Sequence, residues 1–431
     1  MFIYQELAAR AAASRPVKVG LIGAGKFGSM FLSQIPNTPG LEVAGIADLN
    51  PDRAKQACAS VGWDSSQIAA TKFTDDYNEL LNSDIDVVVE STGNPVAGVS
   101  HARAAIRSGK HIVMVNVEAD ALVGAVLAEE ARAAGVVYSM AYGDQPALTC
   151  EMVEWAKGCG FDVVAAGKGT KYLPQYHAST PDTVWDHYGL TSQQAAEAGM
   201  NSKMFNSFLD GTKSALEMCA IANATGLTPP PDGLLFPPCG MDDLAQVLRP
   251  ADQGGELHHK GQVEVVSSLY RDGSDVERDL RWGVYVVIEA PNDYAAACFR
   301  QYGMNTDDSG RYSAMYKPFH LIGLELNISI LSAALLNKPT GSTQGFIADV
   351  VATAKRDLNA GETLDGEGGY TIYGKLSPAS TSIQQSALPI GLSEGVRLKN
   401  SITSGQVISW ADIEGCAQSE ALTLRKSLQS N

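Results

Sequence analysis

The sequence predicts an α/β fold: a doubly wound parallel sheet, then an α+β middle region, then a small all-β module. Three observations carry this. Short apolar runs alternate with helix-patterned stretches through the first third of the chain. A glycine-rich turn follows the first apolar run. The last seventy-odd residues break into short β-like pieces divided by glycine.

The elements follow in order. MFIYQELAARAAASRP has a 3.6-residue apolar pattern and no basic start before an apolar core, so it reads as a short helix and not a signal peptide. VKVGLI, from Val17 to Ile22, is an apolar run bounded by glycine, suited to a strand buried on both faces. A helix follows to about Ile35. LEVAGIA (Leu41 to Ala47), DVVVE (Asp86 to Glu90), HIVMV (His111 to Val115) and Val136 to Met140 are further strands. Helices fall at Pro51 to Val61, His101 to Ser108 and Asp120 to Ala134. The middle region mixes helices (Leu148 to Lys157, Ser202 to Thr225) with strands (Asp162 to Ala166, Gln262 to Leu269, Trp282 to Glu289) and a Pro/Gly-rich passage after Pro229. Pro339 to Ala354 reads as a loop and helix. From Arg356 the pieces YTIYGKL, ALPIGLSEGVRLKN and SGQVISWADI form the β module. The domains expected are 1–146, 147–338, a returning helix over 339–355, and 356–431.

Composition bounds the function. The chain has 431 residues, 45% hydrophobic and 19% charged, which is that of a globular protein and not a disordered one. A net charge of −16 argues against nucleic-acid binding and against docking on an anionic membrane. No run approaches a membrane span. Seven scattered cysteines without a CxxC pair suit reduced thiols, and the expected compartment is the cytoplasm.

Gly23-Ala24-Gly25-Lys26-Phe27-Gly28 stands between a strand and a helix, with Asp48 ending the next strand. Glycines there permit a tight turn and close approach to a pyrophosphate, and the helix N-terminus favours anions. The alternative is a plain strand–helix turn. The expected ligand is NAD(P)H. Asp48 suits ribose hydroxyls, whereas Asn50 and Arg53 could accommodate a 2′-phosphate. Thr92, Gly93 and Asn94 follow the DVVVE strand, and Asn116 follows HIVMV. All four sit where ligands bind in open α/β sheets, although a turn or a helix cap would explain them equally.

Against the acidic background, Lys168, Lys171, Lys203, Lys213 and Lys317 are candidates for an anion pocket, each with a plain surface role as its alternative. Asp210, Lys213 and Glu217 can share one helix face, as a catalytic group or as a surface ion-pair ladder.

VGLIGAGKFG, the STGNP loop, GKHIVMVN, GKGTKY and PTGS…ADV resemble homoserine dehydrogenases. Two places where that family keeps lysine hold Val117 and Glu217 here, which disfavours homoserine as the substrate. The tail resembles a SAF (β-clip) domain through RDL…AGE, LPIGL and GQ…W. A Rossmann-type, homoserine-dehydrogenase-like body with a SAF tail is similar to the deoxyxylulose-phosphate reductoisomerase-like enzymes of Brucella and related bacteria. That resemblance implies a role in isoprenoid precursor synthesis, by rearrangement and NADPH-dependent reduction of 1-deoxy-D-xylulose 5-phosphate. It implies catalytic roles among Lys168, Lys171, Asp210, Lys213 and Glu217. It also implies a divalent metal, Mg or Mn, for which Asp144, Glu151 and Asp210 are the candidate ligands, with capping and surface charge as their alternatives. The expected substrate is a small anionic or polyol molecule, phosphorylated forms included, and the expected assembly is a homodimer or higher homo-oligomer. Two other readings stand beside this: a dehydrogenase of another small polyol or hydroxy acid, and a cofactor-binding sensor or scaffold without chemistry.

Overall fold

Six parallel strands form the first sheet: β1 Val17–Ile22, β2 Leu41–Ala47, β3 Lys72–Thr74, β4 Val87–Glu90, β5 His111–Met114 and β6 Tyr138–Met140. Their order is β3-β2-β1-β4-β5-β6. The chain leaves β1 in one direction and resumes at β4 on its other side, which makes the β1/β4 boundary the switch point where such sheets bind ligands. The strands are mostly apolar and buried, as in a sheet covered on both faces. β3 escapes the sequence pattern because it has three residues and begins on an exposed lysine.

The computed structural model describes residues 3–429 in two units. The first holds residues 3–151 and 320–344; the second holds 152–319 and the chain from 345. The N-terminal helix is Ile3–Ala12, with Ile3 and Leu7 in the first unit's core; Met1 and Phe2 of the expected helix lie outside the described residues. Leu326, Ile330 and Leu331 enter the same core as β1, so the 320–344 stretch belongs to this unit by burial and not by sequence order. Among the described residues no helix is long and apolar enough to cross a membrane.

The second unit is built on a mixed sheet of β7 Asp162–Thr170, β8 Gln262–Ser267, β9 Val284–Glu289 and β10 Tyr312–Lys317, in the order β10-β9-β7-β8. β7 pairs parallel with β8 and antiparallel with β9. The expected strand ending at Ala166 therefore runs on through GKGT. Its glycines answer to packing: a Cβ on Gly167 would fall 1.8 Å from the Glu264 carbonyl oxygen, and one on Gly169 would fall 2.0 Å from that of Leu280. The helix expected over Ser202 to Thr225 is two helices, Ser202–Leu209 and Thr212–Thr225. They are divided at Gly211, whose φ of +90° lies in the left-handed region.

The helix expected within 339–355 does not form. Ala348–Ala354 is strand β11, paired antiparallel with β12 Ile372–Pro378. Val350, Val351 and Thr353 are β-branched, and every residue of β11 is buried, so a two-faced strand environment outweighs any helical pattern. Single bridges such as Val351 to Pro389 and Thr353 to Val407 extend this pair into the small β module. The buried Arg425 of the last helix, Glu420–Leu428, pairs with buried Asp349 and fastens the chain end to β11.

In the first unit the returning 320–344 segment is held by a polar clamp. Asp120, fully buried, accepts hydrogen bonds at Oδ1 from Tyr138 (2.8 Å) and Thr343 (2.8 Å). Burial pushes its carboxyl up to about 6, against the two hydrogen bonds that pull it down. The folded protein therefore binds a proton here at pH values where the unfolded chain, near 4, has lost it, so stability falls as pH rises from about 4 to about 6. Urea unfolding from pH 4 to 7 is expected to show this loss, on the order of 2–3 kcal/mol, and Asp120→Asn is expected to flatten it. An equal pH dependence in the variant would place the titration elsewhere.

Candidate functional site

At the end of β1 the glycine turn has the form a pyrophosphate needs. Gly23 has φ +91°, and a Cβ there would press on the Ser91 and Thr92 backbone at 3.1–3.2 Å. Ser91 Oγ donates to the Gly23 carbonyl at 2.7 Å, tying the turn to the end of β4. A Cβ on Gly28 would lie 2.8 Å from the Gly23 oxygen, so the helix Lys26–Leu32 can seat against the turn only with glycine there. Gly25 is different: nothing lies within 4 Å of its Cβ position, and it stands before the helix without a side-chain cap. That first turn borders an open recess of about 410 Å³ lined by Gly25, Lys26, Ser29, Arg53 and Gln56, where a helix N-terminus favours an anion. Phe27 turns inward and packs on the core.

Asp48 closes the turn. Its Oδ2 accepts from Ala24 N–H (2.8 Å) and its Oδ1 from Asn50 N–H (2.9 Å), and Arg53 Nη2 donates to both oxygens at 3.1 and 3.3 Å. Arg53 reaches Oδ1 at 3.1 Å from a side chain 62% exposed. The asparagines are engaged in caps: Asn50 accepts from Arg53 N–H, Asn94 from Ala97 N–H, and Asn116 from Ala119 N–H. Asn116 also donates to the Asn94 carbonyl at 2.9 Å, so the two loops at the strand ends are locked together. Thr92 donates to the buried Glu90 carboxylate at 2.5 Å, and Gly93, with φ +71°, has open space at its Cβ position.

The second unit sorts the charged candidates by burial. Lys168 and Glu217 form a buried ion pair. Asp210 is fully enclosed: Lys355 Nζ lies 2.7 Å from Oδ2 and Thr212 N–H donates to Oδ1 at 2.9 Å. Its place is structural, at the break between the two helices. Lys213 is half-buried on the first turn of Thr212–Thr225.

Lys171 follows β7 and donates to the His187 carbonyl at 2.5 Å. Burial, then the charge of Arg281, holds it below the usual lysine range. Lys171 and Arg281 each lie 5.9 Å from the Tyr188 ring, and the Arg281 guanidinium has no hydrogen bond or ion pair among the described residues. Burial pushes Tyr188 up to about 12. Two cations thus share one aromatic platform, with the Asp275 charge also acting on Lys171, an arrangement suited to an anionic group. Sequence reading found Lys171 and missed Arg281, because RDLRW carries no spacing signal and only the return of the chain before β9 brings it to β7.

The expected metal set does not assemble. Among the described residues no group of three or more His, Cys, Asp or Glu side chains could hold a metal ion. Asp144 Oδ1 accepts from Gln145 N–H (2.9 Å), Glu151 accepts from Tyr142 Oη (2.5 Å), and Asp210 is held by Lys355. Each carboxylate is engaged locally, as a cap or a pair, so these residues do not fit a shared ion.

Residues 17–115 match the family described as oxidoreductase family, NAD-binding Rossmann fold; residues 143–326 match oxidoreductase DRL, catalytic domain; residues 349–414 match the SAF domain. A Rossmann domain, a middle region matching an oxidoreductase catalytic domain and a C-terminal SAF domain thus follow one another along the chain. No curated protein matches it. Similar solved structures include a 3-ketoreductase from Actinomadura kijaniata in complex with NADP (21% identity, 36% of this chain and 50% of that one, TM-score 0.26). Others are a homoserine dehydrogenase from Thiobacillus denitrificans (16%, 75% and 74%, TM-score 0.43) and an NAD-binding oxidoreductase from Klebsiella pneumoniae (16%, 72% and 67%, TM-score 0.30). The chain spans about half the length of the first solved structures it matches.

The open Cβ position at Gly25 gives a clean test. Gly25→Val adds a side chain whose Cβ has no protein atom within 4 Å, so folding is expected to be unchanged. The same side chain would stand against the pyrophosphate, so NADH and NADPH titrations are expected to show at least a roughly hundredfold loss of affinity, about 2.7 kcal/mol. Unchanged cofactor affinity in the folded variant would remove the cofactor from this turn.

Proposed function

We propose that the protein reduces a carbonyl group of a small phosphorylated substrate with NAD(P)H, and that 1-deoxy-D-xylulose 5-phosphate, rearranged to a branched aldehyde before that reduction, is the first candidate. The observation carrying the phosphate is the Lys171–Arg281 pair over Tyr188. A net charge of −16 repels an anion on average, so a local pair of cations is what would draw one in. The deoxyxylulose-phosphate candidate, and with it isoprenoid precursor synthesis, rests on the resemblance of the body and SAF tail.

The cofactor supplies the hydride. The chain's own part in this reading begins at the glycine turn, where backbone N–H groups hold the pyrophosphate and Asp48 receives the ribose hydroxyls. Arg53 is exposed enough to turn from Asp48 to a 2′-phosphate, which would let one site take either nicotinamide cofactor. Lys171 and Arg281 hold the substrate phosphate and fix its orientation. Lys213 is assigned the proton that the reduced oxygen takes up. The buried Lys168–Glu217 pair stiffens the strand and helix from which Lys171 and Lys213 project. A homodimer or higher homo-oligomer is proposed as the working assembly.

The second reading is a simple dehydrogenase acting on a polyol or hydroxy acid.

Steady-state kinetics with deoxyxylulose phosphate, a panel of polyols and hydroxy acids, and homoserine separate these readings, and homoserine turnover is expected to be negligible. Charge-assisted hydrogen bonds of ~1.5–3 kcal/mol each set the scale for the lysine and arginine. Lys171→Met and Arg281→Met are each expected to raise the KM for the phosphorylated substrate roughly ten- to a hundredfold, with NADPH affinity unmoved. Unaltered kinetics in both variants would make these two cations ordinary surface groups.

A further inference from the structure

A second recess lies within the second unit, on the other side of the helix Thr212–Thr225. Gly211 and Ala215 line it. Lys213 and Glu217 stand two residues further on in each case, about 200° around a helix, and so project from the opposite face. The recess measures about 170 Å³, well above the ~30 Å³ share of one water. Its walls include His177, Phe236 and Tyr373, and its polar groups include Asp232 and Lys375.

The walls are pre-formed. His177 Nδ1 lies 2.7 Å from the Asp210 carbonyl and can only donate to it. Its Nε2 lies 3.0 Å from Tyr172 Oη and, in the neutral ring, accepts from it. The ring stacks on Tyr373 at 4.5 Å. Burial, with Lys355 and Lys375 nearby, holds His177 below its usual range, while the Asp210 carbonyl and charge pull the other way. Opposite, Phe236 adopts φ +50°, a costly conformation for a non-glycine residue. Its N–H and that of Leu235 are held by the buried Glu264 carboxylate, and both carbonyls accept from Arg271 at 3.0 Å. A strained loop pinned from both sides is a wall built to stay in place.

The C-terminal module supplies the remaining wall from β12. Gly374 N–H donates to Thr212 Oγ1 at 2.8 Å, and a Cβ there would fall 2.7 Å from Val350 and 2.9 Å from Thr212. Only glycine lets the strand lie this close to the helix, which brings Tyr373 and Lys375 to the recess. Lys375 is half-buried and has no hydrogen bond or ion pair among the described residues. Asp232, at the rim, has none either. The two opposite charges share one recess and are not paired with each other.

We propose that this recess binds a small hydroxylated anion, its charged group on Lys375 and a hydroxyl on Asp232, with the C-terminal module present to build that site. The neutral His177 and the rings of Phe236 and Tyr373 provide a wall for the carbon skeleton. The anionic group can be a carboxylate or a phosphate, since an ammonium holds either. This site is separate from the Lys171–Arg281 pair, and it stands or falls independently of the proposed reaction.

Isothermal titration of the full chain with D-glycerate, sn-glycerol 3-phosphate and glycerol tests it. Binding of at least one of the two anions is expected, and which one binds identifies the charged group; glycerol is expected not to bind. Lys375→Met is expected to weaken that binding roughly tenfold or more. Asp232→Asn, an exposed change that leaves the fold alone, is expected to weaken it severalfold. Lys171→Met is expected to leave it unchanged. Absence of binding by both anions, equal binding of glycerol, or loss of binding in Lys171→Met with retention in Lys375→Met would each overturn the proposal. The last outcome would assign the heat to the first cation pair.

Discussion

The second unit depends on one buried charge. Lys355 Nζ is enclosed and has three oxygen partners: Asp210 Oδ2, the Ser179 carbonyl and the Gly369 carbonyl, each at 2.7 Å. Those partners come from the helix break, the loop after β7 and the C-terminal module. An ammonium taken out of water is tolerable only when its donors are met, and removing one partner of such a pair typically costs ~3–5 kcal/mol. The pair therefore fixes three distant segments at one point. The Asp210 carbonyl, held in the same break, sets the His177 tautomer, and Thr212, two residues on, receives Gly374. The recess beside β12 is a consequence of this junction.

The first unit follows a different constraint. A parallel sheet covered on both faces ends in loops whose helix N-termini need partners. Asn50, Asn94 and Asn116 provide them, one per helix, while the first turn after Gly25 is left without a side-chain cap. The exception marks the anion position. Where neighbouring helix starts cap their N–H groups with asparagine, the glycine turn has no side-chain cap and borders an open recess.

Much of the fold was legible because its signals are local. VKVGLI followed by GAGKFG states a strand, a tight turn and a helix start within a dozen residues, and the glycines' roles at Gly23 and Gly28 follow from sterics alone. Lys171 was legible as an outlier in an acidic chain. The remainder was not. GKGT looks like a loop and is a strand, because its glycines answer to the Glu264 and Leu280 carbonyls, which lie about a hundred residues away in sequence. ADVVATA was read as helix and is a strand because burial on both faces came with its partner β12. Asp144, Glu151 and Asp210 are each engaged by a nearby partner, which their spacing in sequence does not show.

What the sequence determined by itself is the alternation of strand and helix, the glycine turn with Asp48 behind it, and the division into sheet, middle region and β module. Apolar period and glycine stereochemistry act over a few residues and need no fold to be read. Only the tertiary structure decided which charges are buried and which remain available. It turned Lys168, Glu217 and Asp210 into internal pairs, set Arg281 beside Lys171, and brought Lys375 to His177. Those outcomes depend on electrostatics between segments far apart in the chain, where a charge is kept inside only if folding delivers its partner.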